Sequence, residues 1–190
     1  MRLVGGRRLA TACGVAVLLA GCASSTSGNP VSNGDTSVES TTVVPDQEEP
    51  FDPCTIPKSA VTASGLDVST ERPDFAGITT YPGWKNCAWD GPTDTPWYFL
   101  IVQSSLSSLD QFLQSPRNIN QVPVQVGPRA AVRYNLSEDG EPPEGCSIAL
   151  DASGNLIIFI LHKIGSKDLQ GDPCSEVGKH AEDFQSYLPG

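Results

Sequence analysis

Histidine is almost missing from this chain: among 190 residues only His162 and His180 occur. No G-x-S-x-G, S-x-x-K, H-E-x-x-H or P-loop pattern occurs either, so the usual serine hydrolase, zinc protease and nucleotide-binding arrangements have no residues to stand on. His162 falls at the end of a predicted strand and His180 on the last predicted helix, and each reads as a surface residue rather than a base. Basic residues are also scarce, 12 Lys and Arg against 22 Asp and Glu. That balance disfavours nucleic acid and anionic lipid headgroups as partners. Long apolar runs are absent: Leu9 to Ala20 gives twelve residues without a charge. As a helix these span about 18 Å, short of the roughly 30 Å hydrocarbon core. No Cys-x-x-Cys pair and no cysteine with a neighbouring histidine appears, so structural zinc is not expected. No metal or cofactor is predicted.

What the N-terminus does contain is informative. Arg2, Arg7 and Arg8 precede the short apolar run, and Leu19-Ala20-Gly21-Cys22 follows it. A positive region, a short apolar region and small residues form the layout of an export signal. The tetrapeptide resembles the bacterial lipobox, in which the chain is cut before Cys and its thiol receives a diacylglycerol. Residues 1–21 are therefore expected to be a lipoprotein signal peptide and Cys22 the lipidated residue, on the extracytoplasmic face of the cell membrane. Removing Arg2, Arg7 and Arg8 would leave nine basic residues against 22 acidic ones, a net charge of −13. Residues 22–50, rich in Ser, Thr, Gly, Asn and Pro, lack sustained periodicity and read as a disordered tether. The twenty-eight residues after Cys22, 23–50, reach about 30 Å.

At Phe51 the composition changes. Every Trp, Tyr and Phe lies in residues 51–190, a length suited to one domain with its own core. Thr55 to Ser64 reads as a helix stopped by Gly65, Ser107-Ser108 as the cap of a second helix running through Leu113, and Ser175 to Leu188 as a third. Strands are predicted over 84–90, 97–104, 121–126, 130–136, 146–151 and 156–163, with Pro123 marking an edge and Ser153-Gly154-Asn155 a hairpin. Consecutive strands with short turns imply an α+β fold: an antiparallel sheet flanked by N-terminal, middle and C-terminal helices.

Four cysteines, Cys54, Cys87, Cys146 and Cys174, remain for the exported domain, an even number suited to disulfides. Three pairings exist. Cys54–Cys87 with Cys146–Cys174 is favoured because each bond then joins the start of a helix to a strand. The lipobox, the Ser/Thr-rich tether, "FDPC", "NCAW", a lone strand cysteine and "DPC" before the last helix resemble the Lpr/Lpp-type envelope lipoproteins of mycobacteria and other actinobacteria. That resemblance covers nearly the whole chain and implies disulfides, an envelope location and a domain of unknown function. It supplies no catalytic residues. The element order also resembles the Mog1/PsbP-like α+β fold.

Two features invite a functional reading. Glu138, Asp139, Glu141 and Glu144 cluster in "SEDGEPPEG", without the alternate spacing of a calcium loop, and are expected at a solvated hairpin tip. The stretch "YPGWKNCAWDGPTDTPWY", 81–98, holds all three tryptophans. Flat aromatic faces stack on sugars and peptides and are enriched in binding hot spots. Tyr81, Trp84 and Trp97 are the partner-binding candidates, whereas Trp89, two residues from Cys87, is expected in the core. The chain is thus expected to be a non-enzymatic envelope binding or accessory protein, anchored to the membrane by its lipid, with an envelope protein or glycan as partner. A carrier of an apolar ligand such as a lipid, and a small carboxylate-based hydrolase, are the alternatives.

Overall fold

The hexapeptide Leu156 to Leu161, "LIIFIL", is apolar without alternation, which suits a strand covered on both faces. In the computed structural model, which describes residues 49–74, 77 and 82–190, it lies within strand β7 (Asn155–Lys163). The preceding strands are β1 (Asp67–Arg72), β2 (Trp84–Gly91), β3 (Tyr98–Ser105), β4 (Asn118–Val126), β5 (Arg129–Leu136) and β6 (Gly145–Ala152). They form one seven-stranded sheet in the order β1-β2-β3-β7-β6-β5-β4. Every neighbouring pair is antiparallel. β7 is central. Its Ile157, Phe159 and Leu161 enter a large core on one face, while Leu156 and Ile158 enter a smaller core on the other.

The large core is closed by helices α1 (Lys58–Ala63) and α3 (Pro173–Phe184) and a 3-10 turn at Pro53–Thr55. Val177, Ala181 and Phe184 of α3 are fully buried against the sheet. The two "DPC" segments do the same job twice. Asp52 accepts from the Cys54 N–H at 2.9 Å and Asp172 from the Ser175 N–H at 2.9 Å, each capping a helical turn whose first residue is proline. Aspartate at the cap satisfies an orphan donor, and proline at the first position lacks one. The cysteine that follows is then aimed at the sheet. Cys54 bonds Cys87 of β2, S–S 2.04 Å, and Cys146 of β6 bonds Cys174, S–S 2.11 Å. These are the favoured pairings.

The fold is α+β, with three departures from the expected elements. β1 was not expected, because "DVSTER" has one apolar residue in six; it pairs only with β2 at the sheet margin, where little of it needs burying. The first helix is split, since Pro57 separates the 3-10 turn from α1, which Gly65 ends at φ +89°. β4 begins three residues early, at Asn118, and its register shifts between Ile119 and Val122. The β6–β7 hairpin turns at Ser153 and Gly154, both at positive φ, 50° and 79°, as a two-residue primed turn requires.

One connection shapes the second face. β3 and β4 are consecutive in sequence but four places apart in the sheet, about 19 Å at the usual strand spacing. The crossing chain carries helix α2 (Leu109–Leu113), whose Leu109 and Phe112 pack on the smaller core. Ser108 caps it, accepting from the Gln111 N–H at 3.1 Å. Five helical residues cannot cover a seven-stranded face. A gap remains beside them.

Candidate functional site

That gap is a cavity of about 300 Å³ between the sheet and the α2–β4 connection. Its apolar walls are Trp84, Phe112, Tyr134, Leu136, Ile158 and Ile160. Strand alternation brings them together: Tyr134 and Leu136 share one face of β5, and Ile158 and Ile160 the same face of β7. Phe112 stands edge-on to Tyr134, ring centroids 5.8 Å apart at 70°. Burial raises the Tyr134 hydroxyl pKa, with Ser147 across the strand pair opposing and Asp139 adding to the rise. It is a neutral phenol.

The polar lining comes from Gln103, Ser115, Arg117 and Asn118. Asn118 Nδ2 donates to the Phe112 carbonyl at 2.9 Å, and Ser115 Oγ accepts from the Arg117 N–H at 3.4 Å. Arg117 is ion-paired with Glu138 at the rim, and this pairing is the first cause of the lowered Glu138 pKa. The Gln103 amide and the Trp84 indole N–H have no hydrogen bond to any described residue. They are diagonal neighbours, since Trp84 pairs with Ser105 and Asn86 with Gln103 on adjacent strands.

Of the aromatic candidates, Trp84 is half-buried in the cavity wall. Trp97 is a correction: it is 4% exposed. It stands edge-on to Tyr98 at 4.7 Å, and a side-chain carbon at Gly171 would come within 3.3 Å of its ring. A ring so enclosed offers no face to a partner. Tyr81 and Cys22 lie outside the described residues. Trp89 is fully buried, edge-on to Phe184, with its Nε1–H donating to Glu71 at 3.2 Å.

Two polar residues also differ from expectation. Asp139 is not at a solvated tip but buried. One carboxylate oxygen accepts from the Leu136 N–H at 2.7 Å and the other lies 3.6 Å from His162 Nε2. Desolvation raises its pKa against those contacts. It ties down the β5–β6 turn. His162 is half-exposed, but His180 is fully buried on the helical face. Its Nε2 lies 2.8 Å from Tyr98 Oη and its Nδ1 2.6 Å from Ser64 Oγ. Ser64 donates onward to Asp183 at 2.7 Å. With that proton committed, Nδ1–H must donate to Ser64 and Nε2 accept from Tyr98, so one neutral tautomer satisfies the chain. Burial, with Lys179 nearby, lowers the His180 pKa to about 4, and burial pushes Tyr98 up to about 12. Because Asp183 meets Ser64 rather than the imidazole, the order is that of a structural pin and not of a nucleophile–base–acid triad. No group of three or more metal-ligating side chains occurs among the described residues.

Residues 17–186 match the family described as "Protein of unknown function (DUF3558)". The chain belongs to the DUF3558 family. The match takes in both disulfides and every wall of the cavity, so the site described is part of the DUF3558 region itself. No curated protein and no solved structure matches the chain.

Proposed function

We propose that this DUF3558 protein is a non-catalytic binding protein of an actinobacterial cell envelope, held to the membrane by a lipid on Cys22, and that it binds at the cavity beside Trp84. The tether of residues 22–50 would let the domain work away from the bilayer surface. A Mog1/PsbP-like fold is part of the same proposal. The observation that carries the reading is the cavity: about 300 Å³, walled by rings and branched aliphatic side chains, with a few polar groups among them. Ligand sites have this make-up, and this volume is at their small end. It suits a single chain or ring and is too small for a whole diacyl lipid. Among the expected occupants, a small apolar ligand fits better than a flat glycan or protein platform, because Trp97 is enclosed. The nearby carboxylates argue against hydrolysis, since Glu138 is engaged by Arg117 and Asp139 by the turn it holds.

The neutral fluorophore 1-aminoanthracene tests the cavity. Saturable one-to-one binding is expected, lost in Ile160→Trp and Leu136→Trp, whose indoles would fill the space. Unchanged binding in both folded variants would remove the cavity as the site. Mass spectrometry of the mature N-terminus tests the anchor: diacylglycerol on Cys22 is expected, and an unmodified terminus elsewhere would end the lipoprotein reading.

A further inference from the structure

Two polar groups on the β2–β3 part of the cavity narrow its ligand. The half-buried Gln103 amide and the half-buried Trp84 indole N–H share one face of the β2–β3 pair, as diagonal neighbours, and neither hydrogen-bonds a described residue. Both groups remain open to water, so a ligand whose polar atom takes the place of that water is held in one orientation while its apolar part gains affinity from the walls. Trp84 can only donate, while the amide both donates and accepts. The matching atom is an acceptor oxygen within reach of both.

Charge is selected against. The one ionised group among the lining side chains, Arg117, already pairs with Glu138. A ligand anion would have to compete with that carboxylate in a chain with 22 acidic and 12 basic residues. A ligand cation would find no lining carboxylate to pair with its charge, only the neutral oxygen of the amide beside the indole donor. Ile158 pairs with Gln103 across β3–β7, so the apolar floor begins directly beside the amide.

Resting on the cavity reading, we propose that the ligand is an uncharged single-chain amphiphile. Its carbonyl or hydroxyl oxygen meets Gln103 and Trp84, and its chain lies along Ile158, Ile160, Leu136 and Phe112.

The test uses the whole exported chain carrying Cys22→Ser, which removes the acylation site and the need for detergent. Binding is followed by the Trp84 indole NMR cross-peak, assigned with Trp84→Phe. The probes are octanamide, octanoate and octylammonium, equal in chain length and different in charge. Octanamide is expected to bind about tenfold tighter than either charged probe. Gln103→Leu should weaken octanamide roughly 3–10-fold, the range for one net hydrogen bond. Gln103→Glu should turn the preference toward octylammonium, a reversal that a merely structural role for Gln103 would not produce. If octanoate or octylammonium binds the wild type as tightly as octanamide, the uncharged class is wrong while the cavity still binds. If none of the three moves the Trp84 signal and 1-aminoanthracene also fails to bind, the cavity reading falls with it.

Discussion

His180 illustrates how a single residue departs from its sequence prior. On α3 it follows Val177 by three positions, the same face that buries Ala181 and Phe184, so helical geometry alone places it inward. It is accepted there because both ring nitrogens are satisfied, by Tyr98 and Ser64. Its folded pKa, about 4 against an ordinary 6.5, is depressed, so an unfolded chain binds the proton first. The stability it contributes is fully present above pH 6.5 and is lost as pH falls toward 4. At 1.36 kcal/mol per unit the loss approaches about 3 kcal/mol across that window. Urea unfolding at pH 7 and pH 4.5 should therefore show wild-type stability falling more steeply than that of His180→Gln, which cannot titrate. Parallel profiles would mean that the imidazole is not held neutral.

Among the elements, the two capped turns and the β4 edge carry the most specific sequence chemistry. Asp172 caps the twelve-residue α3, whereas Asp52 caps a three-residue 3-10 turn. Hydrogen bonding from Ser175 is the first cause of the lowered Asp172 pKa. Asp172→Ala should cost about 1 kcal/mol, or roughly 3–5 °C in Tm for a domain of this size. Asp52→Ala should cost less, because fewer helical bonds depend on it. Calorimetry that ranks the two in the opposite order would contradict the capping account. β4 is the other case. Ile119 and Val122 are 40% and 41% exposed on an edge strand, which would invite pairing with another chain. Pro123 and the register shift beside it interrupt the free edge, as protected edges commonly do.

For the molecule as a whole, both disulfides tie helical turns to the sheet on the large-core face, so they brace one layer against the other. Their sequence separations, 33 and 28 residues, correspond to about 3–4 kcal/mol each in the chain-entropy account. Replacing either pair by alanines should lower the unfolding free energy by that order, and non-reducing peptide mapping should join Cys54 to Cys87 and Cys146 to Cys174. A peptide linking Cys54 to Cys174 would overturn the pairing. The second face has no such brace. Among the described residues its cover is α2 and the chain after it, and the cavity lies beside that cover.

Local chemistry determined most of the elements. Alternation and turn residues marked six of the seven strands, Gly65 and Ser108 marked helix ends, and the "DPC" segments marked where cysteines meet the sheet. β1 was illegible because an edge strand needs few apolar residues. Trp84 stood out in the sequence as a tryptophan, yet so did Trp97, and composition cannot tell a wall from a core. Only the tertiary structure separated them. The cavity arises because β4 pairs at the far margin instead of beside β3, which draws a short helix across the second face. Its walls come from β2, β3, β5, β7 and the α2–β4 segment. The alternation of Val132, Tyr134 and Leu136 was the one visible hint of a shared face. Strand order is set by long-range pairing, and no local pattern of side chains encodes which strand a returning chain will find.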